Sequence, residues 1–272
     1  MIPRILKSAA ATAAALTMSL TLTCFAQTPA ARNACRNLPT HARLKAALKK
    51  GLSSSRNGGL NNNMWGTVVN RDGVVCAVAF TGVDRDDQWP GSRIISAQKA
   101  NTANAFSLSA SVRRGAAGLS LSTGNLYSAV QPGGSLFGLL ESNPVNLPAA
   151  YGGNPELFGQ SDDPMVGQRI GGVNAFGGGL ALYDENGDVA GGLGVRGDFS
   201  CTDHIVAWRT RDEMGLDHVP TGVSPTGDDN IVIDTTVDPA TGHTVSESGW
   251  GHPDCGSKAL SDSLPGRFSI GE

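Results

Sequence analysis

Residues 64–80 read MWGTVVNRDGVVCAVAF, two β-rich runs on either side of an Arg-Asp-Gly turn. Asp-Gly between such runs is a strong hairpin signal, so 64–70 and 74–80 are expected to pair as antiparallel strands. A second hairpin is expected where the runs 179–183 and 189–195 flank an Asn-Gly turn. The sheet is therefore predicted to be antiparallel.

Helical patterns surround the two hairpins. Leucines recur at helical spacing from 38 to 52, with Thr40 as the expected N-cap. A second helix is expected after Pro90-Gly91, running to about Phe106, and a last one from about 201 to 214. The order helix, hairpin, helix, hairpin, helix predicts an α+β fold, in which an antiparallel β-sheet is flanked by helices.

Composition narrows the class of protein. The 272 residues include 36 glycines and 14 prolines, which favour turns and short elements over long helices. The 21 basic and 24 acidic side chains nearly cancel, and Lys and Arg cluster only in pairs. The charge pattern of a nucleic-acid-binding protein is missing, so nucleic acid is not expected as a partner.

The first 26 residues have the pattern of a signal peptide. Arg4 and Lys7 precede an apolar run, 8–25, that ends at the small residue Ala26. A membrane anchor and a lipid-attached Cys24 are the alternatives, but the run carries several hydroxyl residues and barely reaches spanning length. We expect cleavage near Ala26, no membrane span, and a periplasmic or secreted mature chain.

Four of the five cysteines lie beyond the predicted signal peptide, an even number that indicates two disulfides in an oxidising compartment. Three pairings are open, and proximity in sequence favours Cys35 with Cys76 and Cys201 with Cys255. A zinc site is the alternative, for which only His252-x-x-Cys255 has ligand spacing, without a matching second pair nearby.

The mature chain is expected to form one domain, 27–215, followed by a C-terminal tail, 216–272, packed on it. The stretch 115–178 is rich in glycine and proline, and its part around 138–168 is interpreted as an insertion. A loop of this length is uncommon in a compact domain unless it covers a site or an interface. That role is expected of it here.

Two motifs match ligand-binding signatures in their letters only. GLGVRG at 192–197 has the glycine spacing of a dinucleotide fingerprint, but it lies in a hairpin strand without a βαβ unit. DENGD at 184–188 imitates the start of a calcium loop, but no glutamate stands at the closing position. Neither is interpreted as a ligand site.

Several features occur together in a fixed order. They are the first helix, the Asn-Arg-Asp-Gly hairpin, a Pro-Gly-Ser start to a helix bearing KANTA at 99–103, a Gly-Gly pair before two strands, and GVRGD at 194–198. On these features, from about 38 to 215, the chain resembles the GlcG/HbpS family of haem-binding or haem-degrading domains. The resemblance implies a profilin-like sheet, a homo-oligomer and, in secreted members, haem or iron binding linked to redox sensing.

The chain also departs from the family pattern. The insertion and the tail are extra, Arg196 stands where serine is common, and SCTDH at 200–204 replaces a more acidic start to the last helix. The fold therefore transfers more directly than the ligand, because a fold does not determine a function.

A haem site requires an apolar slot, an axial donor and cationic groups for two propionates. We predict His204 as the iron ligand, Arg93 and Lys99 as partners of the propionates, and Tyr127 as a further oxygen donor. Each has a structural alternative: His204 as a bonded residue of the helix start, Arg93 and Lys99 on a solvated face, and Tyr127 as a packing residue.

The sequence is compatible with three candidate functions for this protein. The first is an exported protein that binds haem or another small molecule as a homo-oligomer, for scavenging of haem or iron or for redox sensing, with no catalytic residue assigned. The second is a secreted hydrolase-like enzyme, although the chain has no G-x-S-x-G elbow, and the adjacent Asp203 and His204 diverge on a helix. The third is a structural protein whose insertion and tail bind a partner.

Overall fold

The computed structural model describes residues 34–53 and 57–265, so the predicted signal peptide lies outside the described residues. The helices are α1 (His41–Ser53), α2 (Ser92–Ala105), α3 (Leu147–Tyr151), α4 (Ser200–Glu213) and α5 (Lys258–Asp262). The strands are β1 (Trp65–Asn70), β2 (Val75–Phe80), β3 (Leu119–Ser120), β4 (Gly179–Tyr183), β5 (Val189–Arg196), β6 (Thr221–Gly222), β7 (Thr235–Val237) and β8 (Thr244–Ser246).

The central sheet has four strands in the order β2-β1-β5-β4, and every neighbouring pair is antiparallel. Both predicted hairpins are present, with strand ends within a residue of those expected. Gly73 and Gly187 have φ values of 74° and 73°, which glycine adopts more readily than other residues. The prediction of an α+β fold with an antiparallel sheet is confirmed.

Helices cover both faces of this sheet. Val68 packs in the core formed with α1 and α4, whereas the next residue, Val69, packs in the core formed with α2. Successive side chains of a strand point to opposite faces, and here both faces meet a helix layer. For this reason β1 is buried along its whole length, with apolar residues at successive positions.

The glycine pattern at 192–197 serves the packing of α2 on β5. A Cβ atom at Gly194 would collide with the carbonyl oxygen of Ser96, and one at Gly192 would collide with that of Ala100. The helix backbone therefore lies directly on the strand, and any side chain at these positions would force them apart. This accounts for two of the three glycines that resemble a dinucleotide fingerprint, and Gly197 lies instead against the carbonyl oxygen of Asn63.

The segment 115–178 wraps α2 with short elements. Ala150, Met165 and Ile170 join the core on the α2 side. The C-terminal segment also contacts the domain: β6 pairs with β3, and Val219 is buried against Tyr183 and its neighbours. The long glycine-rich stretch and the tail therefore form the outer layers of the same structure.

Two disulfides are present. Cys35 is bonded to Cys76 in β2, and Cys201 in α4 is bonded to Cys255, with Cα–Cα distances of 5.5 and 5.9 Å. These are the pairs that proximity in sequence favoured. Among the residues that the structure describes, no helix combines the length and the apolar composition needed to cross a membrane.

Candidate functional site: a cleft at the start of helix α2

Arg93 lies in the first turn of α2 and is buried. Its Nε donates a hydrogen bond of 2.9 Å to Asp163, Nη2 donates to the same carboxylate, and Nη1 donates to the carbonyl oxygen of Ala150 at 2.9 Å. The ring of Phe158 lies over the guanidinium, 3.7 Å from its centroid. The charge of Arg93 is thus balanced inside the protein by Asp163.

An open cleft of about 190 Å³ adjoins this arginine, and we call it the α2 cleft. A smaller cavity of about 120 Å³ adjoins the same Pro90, Arg93 and Phe158 and extends it towards Trp65. The residues that line the two cavities are Trp65, Arg85, Asp86, Pro90, Gly91, Arg93, Ile94, Ala150, Tyr151 and Phe158.

The α2 cleft and its extension combine apolar walls with polar groups: Tyr151 lines the cleft, and Arg85 and Asp86 line the smaller cavity. Tyr151 is 63% exposed, so its phenol is accessible to a ligand. Arg85 is partly exposed and lies 3.3 Å from Glu156, which is itself exposed, so solvent weakens this ion pair. One wall, with Tyr151 and Phe158, comes from the predicted insertion.

Lys99 lies in the interior between α2, β5 and α4. Its Nζ donates to Asp203 at 2.8 Å and to the carbonyl oxygen of Val195 at 3.1 Å. Burial lowers the pKa of Lys99 to about 8, against the attraction of Asp203. Arg196 also contacts Asp203, at 3.0 Å, and two backbone N–H groups of the β5–α4 connection donate to it. Lys99 therefore fixes the start of α4.

His204 is fully buried in α4. Its Nε2 lies 3.1 Å from the N–H of Ile231 and 3.2 Å from Oδ1 of Asn230, and its Nδ1 has no partner among the described residues. Burial lowers the pKa of His204 to about 3, so the ring is neutral at neutral pH. An iron ligand needs a free ring nitrogen facing a cavity, and neither cavity described above is lined by His204.

Tyr127 is half-buried next to the C-terminal segment. Its ring lies 4.9 Å from that of His252 and 5.9 Å from that of Phe176. Lys99 and His204 both lie close enough to His252 for their charges to interact with it, so they and Tyr127 surround the same histidine. Of the four residues predicted to bind haem, only Arg93 lines the α2 cleft. As a set they do not fit haem, because Arg93 lines a cavity that the other three do not line, and both cations are already paired with buried carboxylates.

The residues that sequence reasoning missed are Tyr151, Phe158 and Arg85. Tyr151 and Phe158 lie far beyond α2 in the chain, Arg85 lies shortly before it, and no local motif marks any of the three. The only signal was the prediction that the glycine-rich insertion covers a site. The sequence also gives no sign of Asp163 as the partner of Arg93, because the two residues are 70 positions apart in the chain.

The zinc alternative at His252-x-x-Cys255 is also testable in the structure. Donor atoms of Cys201, His252 and Cys255 lie within 4.8 Å of one another. Both sulfurs, however, belong to one disulfide, and zinc binds cysteine as thiolate. With the disulfide formed, His252 is the one residue of these three that can offer zinc a donor atom, a ring nitrogen.

The fold and cleft define an α+β domain with one helix-covered antiparallel sheet and a surface slot at the start of α2. No protein-family model matches the chain, and no curated protein matches it. Solved structures similar to it include Klebsiella pneumoniae protein ORFY of the DUF336 family, at 25% identity and a TM-score of 0.39, covering 64% of this chain and 89% of that one.

Two further solved structures are similar in part. PduOC in complex with haem is 22% identical, with a TM-score of 0.41, and the match covers 65% of this chain and 94% of that one. A double mutant of Streptomyces reticuli HbpS is 19% identical, with a TM-score of 0.34 and coverage of 76% and 99%.

Proposed function

We propose that this chain is an exported protein that binds haem, or another flat apolar carboxylate, in the α2 cleft. The observation that carries the proposal is the composition of the cleft. Pro90, Ile94 and Phe158 supply apolar walls, Tyr151 supplies an accessible phenol, and Arg85 supplies a cation at the rim. These are the slot, the axial donor and the propionate partner that haem requires.

Each group has a distinct role in this proposal. The Tyr151 oxygen would hold the iron, Arg85 would exchange its exposed contact with Glu156 for a propionate, and Phe158 would lie against the ring. Arg93 would act through its N–H groups and not as a free charge, since Asp163 already balances it. Bound haem supplies iron-based redox chemistry, which suits the sensing or scavenging role expected from the sequence.

The small size of the α2 cleft supports the proposal that this protein forms a homo-oligomer. At about 190 Å³ it is smaller than typical ligand pockets of 300–1,000 Å³, so it would hold one edge of a porphyrin and leave the rest uncovered. Trp89 and Tyr151 are 48% and 63% exposed beside it. We propose that a second copy of the chain covers this surface, which is the homo-oligomer expected above.

Export is proposed on the two disulfides, because such bonds persist in oxidising compartments. The sequence adds the signal-peptide pattern of its first 26 residues. Amino-terminal sequencing of the protein recovered from the periplasm or the medium tests this part. A first residue near Gln27 is expected, and recovery of the uncleaved chain from the cytoplasm would contradict it.

Titration of the oxidised protein with haemin tests the ligand and its place. We expect a saturable Soret shift with one haem per chain. Tyr151→Phe should change the spectrum of the complex, whereas Tyr127→Phe, a matched loss of a phenol elsewhere, and His204→Gln should not. An unshifted spectrum at micromolar protein would refute haem binding. A spectrum altered only by Tyr127→Phe or His204→Gln would place the haem outside the α2 cleft.

A further inference from the structure

A serine and a histidine meet at the start of α4. Ser200 Oγ lies 2.8 Å from His252 Nε2, and His252 Nδ1 lies 2.7 Å from the carbonyl oxygen of Pro253. Burial lowers the pKa of His252 to about 4, although its bond to Pro253 acts in the opposite direction, so the ring is neutral at neutral pH. A neutral ring carries one hydrogen, on either Nδ1 or Nε2.

The carbonyl oxygen of Pro253 can only accept a hydrogen bond, so the single ring hydrogen of neutral His252 resides on Nδ1. Nε2 is then an acceptor, and the hydroxyl of Ser200 must donate to it. This is the tautomer in which a histidine takes a proton from a serine nucleophile. The Pro253 carbonyl orients the ring, as a carboxylate does in a catalytic triad.

The serine oxygen is held from a second side. The N–H of Gly177 donates to Ser200 Oγ at 2.7 Å, which fixes the hydroxyl. Ser200 is the first residue of α4, a helix of 14 residues, so its oxygen lies at the positive end of the helix dipole. Negative charge that develops beside Ser200 is stabilised there.

Ser200 and His252 differ in their exposure to solvent. His252 is 3% exposed, whereas Ser200 is only partly buried. The residues before Gly177 and Ser200, Phe176 and Phe199, are 47% and 48% exposed. The surface beside Ser200 is therefore aromatic while the base is shielded from water, so an apolar acyl group suits this place better than a charged one.

The disulfide beside the pair joins its two chain segments. Cys201 follows Ser200 directly, and Cys255 lies three residues after His252. The covalent bond therefore limits the separation of α4 from the segment that carries the base. The disulfide therefore acts on the position of the two residues.

We propose that Ser200 and His252 form a nucleophile and general base that cleave small esters of apolar acids. Ser200 Oγ bonds to the acyl carbon while its proton passes to His252 Nε2; the carbon–oxygen bond to the alcohol breaks, and the alcohol leaves with that proton. Water then bonds to the acyl carbon as its proton passes to His252 Nε2, the bond between that carbon and Ser200 Oγ breaks, and His252 returns the proton to Oγ as the acid leaves. This activity uses no residue of the α2 cleft and is independent of haem binding.

Covalent labelling of the oxidised full-length protein tests the nucleophile. Treatment with phenylmethanesulfonyl fluoride, followed by peptide mass spectrometry, should place one sulfonyl group on Ser200. p-Nitrophenyl acetate and butyrate should be hydrolysed by the same protein. Folded wild-type protein without a label on Ser200 would overturn the proposal, whatever the behaviour of any variant.

Variants then separate catalysis from support of the C-terminal segment. His252→Gln keeps hydrogen-bonding groups but lacks the base, and should slow labelling and ester hydrolysis about 100-fold or more. Ser128→Ala is the matched control, because Ser128 also bonds to that segment, at the carbonyl of Gly249, without a histidine. It should label at the wild-type rate. Equal rates for His252→Gln and wild type, with both disulfides intact, would refute the role of the base.

Discussion

The ion pair between Arg211 and Asp229 joins α4 to the C-terminal segment. Arg211 Nη1 and Nη2 donate to the two carboxylate oxygens at 2.7 and 2.8 Å, and the Ser120 hydroxyl donates to the same carboxylate at 2.8 Å. The two charged side chains are 1% and 0% exposed. Asp229→Ala would leave a buried guanidinium without its counter-charge, which typically costs about 3–5 kcal/mol of unfolding free energy. We expect a loss in that range.

Urea unfolding of the oxidised protein, followed by tryptophan fluorescence, measures this loss. Trp208 is a suitable probe because its ring lies 4.8 Å from the Arg211 guanidinium. The control is Asp262→Ala, which breaks an ion pair of 2.8 Å with Lys258 whose side chains are about half exposed. Exposed pairs of this kind contribute about 0–1 kcal/mol, so the control should remain close to the wild type.

Removing both Arg211 and Asp229 should lower the unfolding free energy less than removing Asp229 alone. In Arg211→Met combined with Asp229→Leu no unpaired charge remains buried, so part of the stability should return. If Asp229→Ala and Asp262→Ala lowered the unfolding free energy equally, with unchanged dependence on urea, the burial assigned to the first pair would be wrong. The burial of this pair would also be wrong if the double variant had a lower unfolding free energy than Asp229→Ala.

Two more predictions concern the interior. Burial lowers the pKa of His204 to about 3, so between pH 6.5 and 3 only the unfolded chain binds this proton, and the unfolding free energy should fall by about 1.4 kcal/mol per pH unit from this group. His204→Gln should reduce that acid slope in urea titrations at pH 7, 6, 5 and 4, and an unchanged slope would contradict the assignment. Gly194→Ala should cost about 3 kcal/mol because its Cβ meets the carbonyl of Ser96, whereas Gly91→Ala, whose Cβ would lie 4.0 Å from the end of the Ile95 side chain, should change stability by less than about 0.5 kcal/mol. Similar melting of the two variants would show that α2 does not rest on β5.

The sheet could be predicted from sequence because its signals are local. Each hairpin turn places a glycine where positive φ is needed, Gly73 and Gly187, between runs of strand-forming residues. Proximity in sequence also favoured the disulfide pairs now seen, Cys35 with Cys76 and Cys201 with Cys255. Adjacent hairpins and helices left few other arrangements.

The site could not be predicted in the same way, because its decisive contacts join distant residues. Arg93 and Lys99 were interpreted as cations available to propionates, but each meets a buried carboxylate 70 or 104 residues away. No local pattern reveals that such a charge is already balanced. Ser200 and His252, 52 residues apart, likewise become neighbours only when the C-terminal segment returns to α4.

The bond between Cys201 and Cys255 closes a covalent ring that contains most of the C-terminal segment, including the exposed turn at 239–243 between β7 and β8. A protease that cut this turn would produce two polypeptides still held together, so the nicked molecule would keep its size until a reductant separated the fragments. In an environment rich in proteases, the ring would thus turn a cut that removes the carboxyl-terminal part into one that leaves every residue attached.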